Sequence, residues 1–400
     1  MKAVPPQAAS AGDTSPVVLR KPLWLVSLAF AFLSFGLPIY SKGLGASALV
    51  IGGLYSIFTL TILVLRPLVG SALDRFGRKI FFVVGLLTYS LAYLAFALTG
   101  GLAGLYLARF LQGLASALLW ISLYTIVTDL SASNERGQQL GRIQEISARG
   151  QVIGVFLGLG LMGYFQEQRG WQLAFEGYAL LAVAGAFLAW RRVPETLPTR
   201  QRPVSTEGIP SQLKRLMVIV FTTGASAAMI SPLYMIFVQD RFTSNIFALA
   251  WAFFPAGVVY SLLPSRLGRL SDRYGRAPMM AAGLIGTGAL SFFLPHVRSL
   301  VALAGLYTLS SVGWSLADPA EVALVADLTG SDRRGRGYGL YEFAGSLGAT
   351  IGPLVGGWLY EAVSQPAPFY LNGAILFASA GWVLFALHSR TAATIAPTDD

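Results

Sequence analysis

The chain alternates long apolar runs with short charged breaks. A helix that crosses a bilayer needs about 20 mainly apolar residues. Runs of that kind lie near 23–41, 48–69, 80–99, 102–128, 142–164, 172–190, 215–238, 246–265, 278–295, 300–326, 338–360 and 369–388. The pattern predicts twelve membrane-crossing helices, spans 1 to 12, six on each side of a polar segment at 191–213. That segment carries Arg-Arg-Val-Pro-Glu-Thr and three further prolines with no apolar periodicity, so it is expected to be a linker. The expected organisation is a tail at 1–21, a six-helix bundle at 22–190, the linker, a second bundle at 214–389, and a tail at 390–400. Span 1 is too long for a secretory signal and lacks its small-residue cleavage pattern, so it is expected to stay attached.

The charged breaks repeat. Gly70-Ser-Ala-Leu-Asp74-Arg75-Phe-Gly77-Arg78-Lys79 recurs as Gly268-Arg-Leu-Ser-Asp272-Arg273-Tyr-Gly275-Arg276, an offset of 272 − 74 = 198. Asp129 with Arg136-Gly137 has its counterpart in Asp327 with Arg334-Gly335, and Gly150, Gly154 and Gly158 have theirs in Gly348, Gly352 and Gly356, all at the same offset. Three segments in constant register indicate two homologous halves of roughly 200 residues each.

These breaks resemble the signature that the major facilitator superfamily carries between helices two and three and again between helices eight and nine. Its pattern runs Gly, any, Leu, small, Asp, Arg, any, Gly, Arg, basic; the first copy departs at Ala72 and the second at Ala277. The resemblance covers residues 20–390 and is to the bacterial proton-coupled drug antiporter branch. It implies an all-α polytopic membrane protein, with twelve transmembrane helices in two pseudo-symmetric six-helix bundles facing a central cavity. It also implies a secondary transporter that works by alternating access as a monomer.

Composition places the chain in lipid. Hydrophobic residues are 54%, charged residues 12% and the mean hydropathy +0.61, against about 25% charged in an ordinary soluble domain. The net charge of +10 would suit nucleic acid if it were spread over a surface, but it gathers on one side of the predicted membrane. Arg20, Lys21, Arg75, Arg78, Lys79, Arg136, Arg142, the linker arginines, Arg266, Arg269, Arg273, Arg276, Arg333, Arg334 and Arg336 share the side of the N-terminus, whereas Lys42, Arg169, Arg241 and Arg298 lie opposite. The positive-inside bias makes both termini cytoplasmic in a bacterial inner membrane, with lipid headgroups as partners of the basic face. With no cysteine, disulfides and thiolate metal sites are excluded. The two histidines, His296 and His388, lie near span ends, and no catalytic or metal-ligating constellation is present, so neither an enzyme nor a cofactor other than a coupling proton is expected.

Asp74 lies between the end of span 2 and the start of span 3, where its carboxylate can accept backbone N–H groups at a positive helix end. In the family the set Gly70, Asp74, Arg75, Gly77, Arg78 and Asp129, with Asp272, Arg273, Gly275, Arg276 and Asp327, bridges helices on the cytoplasmic face in the outward-open state. The resemblance therefore implies a conformational latch. Charge that only sets topology is the other reading.

Span 4 holds Arg109-Phe-Leu-Gln112-Gly113, similar to a segment of proton-coupled members. An arginine at this depth needs a partner, and two readings stand: coupling or substrate contact, and a structural hub. The stripe Gly150, Gly154, Gly158 in span 5, and Gly348, Gly352, Pro353, Gly356 and Gly357 in span 11, permits close helix contact. In the antiporters the full glycine–proline form belongs to span 5, whereas here Val155 stands there and Pro353 is in span 11. The stripe thus supports packing more than direction of transport.

Proton coupling calls for an acid that loads and unloads near neutral pH. Asp318 and Glu321 in span 10 are three residues apart, with Pro319 between them and Trp314 one turn away. Asp318 is the first candidate, Glu321 the second, and Glu176 and Glu342 follow. Glu145 and Arg149 read as a self-neutralised pair, and Glu342 as satisfying a helix-end dipole or contacting Arg66. Since spans 1, 4, 7 and 10 line the cavity in the family, Phe32, Phe35, Tyr40, Gln112, Trp120, Tyr124, Tyr234, Phe237 and Trp314 are candidate walls, with core or lipid-facing packing the other reading for each aromatic. So apolar a set suits an amphipathic or hydrophobic organic molecule. The expected function is proton-coupled efflux of such a compound; uptake or facilitated diffusion of a sugar, amino acid or other metabolite is the alternative.

Overall fold

The computed structural model describes residues 15–132, 135–196, 210–329 and 334–387, and these form helices joined by short turns, with no strand among them. The first half contains α1 (Arg20–Gly43), α2 (Ala48–Phe76), α3 (Arg78–Leu98), α4 (Leu102–Asp129), α5 (Arg136–Tyr164) and α6 (Glu167–Arg192). The second contains α7 (Ser211–Arg241), α8 (Ile246–Leu262), α9 (Pro264–Tyr274), α10 (Arg276–Phe293), α11 (Leu300–Thr329), α12 (Arg334–Ala362) and α13 (Ala367–Leu387). Ten of the described helices are long and apolar enough to cross a membrane, and Ile246–Tyr260 is a shorter apolar one. The glycine-rich α12, 29 residues long, completes the set of twelve crossings. Span 8 is shared by α8 and α9 because Pro264 has no N–H to continue the helix. Below, the side on which α1 begins is the basic side and the opposite one the far side.

The charged breaks are tighter than the sequence suggested. Residues 70–76 and 268–274 are helical, and each reversal takes place at a single residue, Gly77 at φ 100° and Gly275 at φ 97°. Only glycine adopts that backbone without strain. A short turn of this kind fixes how α3 leaves α2, and how α10 leaves α9.

Close helix contact follows the two glycine stripes. A Cβ on Gly154 would stand 1.8 Å from the carbonyl oxygen of Leu28 in α1, and one on Gly352 would stand 2.2 Å from that of Ala225 in α7. Gly150 and Gly158 continue the first contact against Trp24 and Phe32; Gly348 and Gly356 continue the second against Phe221 and Met229. Gly357 instead meets the backbone of Ala48 in α2, and Gly52 of α2 meets the Pro353 carbonyl, so α2 and α12 join the two halves backbone to backbone.

Prolines inside helices leave carbonyls that a neighbouring helix satisfies. Pro38 leaves the Ser34 carbonyl without its helical donor, and the Tyr55 hydroxyl of α2 donates to it at 3.0 Å. Pro353 does the same to Ala349, and Thr59 of α2 donates to that carbonyl at 3.1 Å. Both bonds tie α2 to its neighbours.

The first half is filled by aromatics. Phe32 packs against Trp171, Phe175 and Tyr178, and Tyr40 stacks on Trp171 at 4.2 Å. The polar atoms of this cluster find backbone acceptors: Trp171 Nε1 donates to Phe96 at 2.7 Å, and the Tyr93 hydroxyl to Val26 at 2.9 Å. Phe32, Tyr40 and Phe237 are therefore core residues rather than cavity walls, Phe237 lying buried against Phe369. In the second half, Asn372 of α13 accepts from Ser226 of α7 and donates to Ser291 of α10, a polar peg between three helices.

Candidate functional site

Two carboxyl groups in α11 gather side chains from three other helices. Glu321, 9% exposed, lies 3.4 Å from the Thr223 hydroxyl of α7, with Tyr341 of α12 also in hydrogen-bonding reach. Asp318 is half-buried and accepts from the Tyr260 hydroxyl of α8. Their spacing puts the two acids on adjoining parts of one face, and Trp314 stands half-buried one turn away against the core of this half. Among the described residues no lysine or arginine is paired with either acid. Sequence reasoning found both acids but missed Tyr260, Thr223 and Tyr341, which come from helices remote in the chain.

In the first half, α4 carries aromatics along the stretch that the repeat relates to this cluster. Trp120 and Tyr124 of α4 lie 5.5 Å apart, and Tyr124 is 38% exposed. Arg109, on the same helix, is 4% exposed and turned to α2: its Nε donates to the Leu54 carbonyl at 2.8 Å, and Nη1 to Gln112 Oε1 at 2.7 Å. The rings of Tyr55 and Phe58 stand 4.8 and 4.5 Å from the guanidinium carbon. The structure thus gives Arg109 and Gln112 the partners of a buried hub between α2 and α4.

Towards the far side the halves close on each other. Phe35 of α1 meets Phe253 of α8 at 5.8 Å, Phe253 meets Tyr307 of α11 at 4.8 Å, and Tyr307 meets Tyr234 of α7 at 4.6 Å. Tyr234 is buried in this seal. Beyond it, Lys42 at the end of α1 forms an ion pair with Asp240 at the end of α7, and the Tyr360 hydroxyl of α12 donates to Asp240 at 2.9 Å. Glu361 caps the first turn of α2 through the Leu49 N–H at 2.8 Å, and Gly163 packs on Phe247. Lys42 and Asp240 are 240 − 42 = 198 apart, so they are repeat equivalents of opposite charge. The constant offset was a signal that could have paired them.

The bonds of the two charged breaks stay within each half. Arg78 Nε of α3 lies 3.0 Å from Asp129 of α4, and Arg276 of α10 binds Asp272 and lies 3.3 Å from Asp327. These pairs tie adjacent helices of one half, and they are formed while the far side is closed. The side chain of Asp74 lies outside the described residues. The positive end of α3, where Asp74 was expected, is capped by Glu195: its carboxylate accepts from the Arg78 N–H at 2.7 Å and the Lys79 N–H at 3.1 Å. Thr196 closes the group by donating to Asp129 at 2.9 Å. Glu195 reads from the sequence as linker because only the fold brings the end of α6 beside the start of α3.

The remaining charges are placed as follows. Arg66 and Glu342 form an ion pair of 2.8 Å between α2 and α12, and Glu145 pairs with Arg149 on α5. Glu176 of α6 accepts from Gln172 at 2.7 Å, and Gln172 in turn accepts from Arg169 at 2.9 Å. This places Glu176 in a separate polar chain, on a different helix from Asp318 and Glu321.

A family model, described as Major Facilitator Superfamily, matches the chain twice, at residues 23–218 and 216–400. The chain belongs to this superfamily. The double match restates the duplication at the level of whole halves, and the protein is accordingly a multi-pass membrane transporter and not an enzyme. "Multidrug resistance protein 1" of Bacillus subtilis (strain 168) is 27% identical over 86% of this chain and 90% of its own length. "Multidrug resistance protein MdtH" of Klebsiella pneumoniae (strain 342) is 30% identical over 77% of this chain and 78% of its own length. The "Chromaffin granule amine transporter" of Rattus norvegicus is 25% identical over 81% of this chain and 63% of its own. Among solved structures, the human organic anion transporter MFSD10 (TETRAN) shares the fold, with a TM-score of 0.68 at 17% identity over 94% of this chain and all of the other.

Proposed function

We propose that this transporter exports amphipathic or hydrophobic organic molecules from the cytoplasm in exchange for protons, with Asp318 as the coupling group and Glu321 beside it. The observation that carries the reading is a pair of carboxyl groups at membrane depth with hydroxyl partners but no cationic one among the described residues. An isolated carboxylate is costly there unless it takes up a proton, faces water or meets a cation. A carrier driven by a proton gradient needs a group whose occupancy changes with the side it faces.

The basic side is the cytoplasmic one, by the bias of arginine and lysine. The structure then corresponds to a carrier shut to the exterior by the aromatic seal and the Lys42–Asp240 pair. A compound entering from the cytoplasm stacks on Trp120 and Tyr124, and a positive charge on it displaces the proton of Asp318. After the halves rock, an external proton competes the compound off. Reciprocity requires that pH alter substrate affinity as much as substrate alters proton affinity. The names of the curated relatives, multidrug resistance proteins and an amine transporter, favour the same substrate class and direction.

Flux of a fluorescent amphipathic cation in proteoliposomes, under pH gradients of either sign, tests the proposal. Transport of the compound against the proton flow is expected. Asp318→Asn is expected to fold, to bind the compound almost independently of pH, to exchange it, and to lose gradient-driven transport. Movement of compound and proton in the same direction overturns export. Full proton-driven transport by Asp318→Asn removes Asp318 from the role and passes it to Glu321, then Glu176, then Glu342.

A further inference from the structure

The basic ends of α1, α5 and α6 enclose a groove of about 860 Å3 that shares Arg20, Lys21 and Leu188 with an adjoining one of about 770 Å3. Arg20, Lys21, Arg142, Arg149 and Arg192 supply five cations to the two, and Glu145 is the one acid among the residues lining them. Glu145 is already paired with Arg149, and the other four cations are in no ion pair among the described residues. A 3-10 turn, Pro16–Leu19, runs directly into α1 and the Arg20 N–H already donates to the Val17 carbonyl, so the positive charge of the groove comes from its side chains. The floor is of opposite character: Trp24, Leu25, Ile146 and Leu188 are apolar and partly exposed.

We infer that this groove is a binding site for one anionic phospholipid, whose phosphate sits among Arg20, Lys21 and Arg142 while an acyl chain follows Trp24 and Leu188. A cationic rim over an apolar floor, at the ends of membrane-crossing helices, matches the two-part chemistry of such a lipid at headgroup depth. Segments of the chain outside the described residues fit less well. Residues 1–14 carry Lys2 against Asp13, and 197–209 carry Arg200 and Arg202 against Glu207. The acidic Asp399 and Asp400 belong to a tail that leaves from α13 in the other half.

Native mass spectrometry of the full chain, released from mixed micelles of phosphatidylglycerol and phosphatidylcholine, provides the test. Retention of one phosphatidylglycerol is expected. Arg20→Gln with Arg142→Gln should weaken retention by roughly thirtyfold, from about a factor of five per cation, and Arg20→Lys with Arg142→Lys should largely restore it. Arg266→Gln with Arg269→Gln removes the same charge from exposed sites in the other half and should leave retention unchanged. Equal loss in the two Gln pairs, or loss in neither, overturns the site. Displacement of the lipid by inorganic phosphate would assign the rim to a free anion, and retention that appears only after removal of residues 391–400 would assign it to the tail; either result overturns the inference.

Discussion

Replacing Asp240 with Ala removes two bonds at the far side, but only one of them joins the halves. Tyr360 and Asp240 both belong to the second half, so the phenol hydrogen bond of 2.9 Å holds Asp240 in place without resisting separation. The Lys42 ion pair is the part that must break when the far side opens. Its side chains are 31% and 27% exposed, so solvent screening limits its contribution to ~1 kcal/mol at most. Removing it should raise the ratio of far-open to far-closed molecules by about fivefold. Tyr360→Phe should act in the same direction and more weakly, since it only loosens Asp240. Because the chain has no cysteine, spin labels can be placed at Gly100→Cys and Ser244→Cys, on exposed loops of the two halves. Pulsed dipolar spectroscopy then reads the population of each distance. A double-mutant cycle of Lys42→Met and Asp240→Ala should give a coupling of the same size, because each change removes the one interaction. An unchanged distance distribution in Asp240→Ala, or a shift towards shorter distances, would refute the reasoning.

Further outcomes follow from other contacts. Glu195→Gln keeps an acceptor but removes the charge at the start of α3, so unfolding in detergent should show a loss of about 1–2 kcal/mol; wild-type stability would mean that the cap seen here does not hold α3. Gly154→Ala forces α1 and α5 apart, since its Cβ would lie 1.8 Å from a backbone oxygen, and should cost about 3 kcal/mol. Gly160→Ala on the same helix meets nothing within 4 Å and should be neutral or slightly stabilising. An impermeant thiol reagent applied to intact cells should label Ser244→Cys and leave Ser205→Cys untouched; labelling at position 205 would reverse the orientation.

Much of this was legible in the sequence because repeats and backbone-dictating residues are local signals. The offset of 198 located both halves, the two tight turns and the two glycine stripes without reference to any contact. What escaped depends on which surface a residue meets. Phe32 and Phe35 are both apolar and one turn apart, yet Phe32 is sunk among Trp171, Phe175 and Tyr178 while Phe35 reaches Phe253 in the other half. Periodicity cannot separate them, because a helix in a membrane is apolar on its core, lipid and cavity faces alike. The linker posed the complementary difficulty. Glu195 reads as part of the linker, and its two N–H partners at the start of α3 become visible only when α6 ends beside α3.

The repeat itself separates scaffold from chemistry. Where the backbone must turn or helices must touch, the halves agree: Gly77 with Gly275, Arg78 and Asp129 with Arg276 and Asp327, Gly154 with Gly352. Along the helices that face each other they differ. Asp318 has Trp120 as its repeat equivalent (318 − 198 = 120), Glu321 has Leu123, and Tyr307 has Arg109. At these positions α11 carries the acids, with hydroxyl partners from α7 and α8, whereas α4 carries Trp120 and the one arginine of that helix, bound to α2. Two halves of matched shape can rock against each other, because the same turns and helix contacts recur in both. In the proposed export cycle, a compound held between them would meet the acids of α11 on one side and the rings of α4 on the other. That division suits an amphipathic substrate, while the two tight turns and the glycine contacts at Gly154 and Gly352 keep to the repeat.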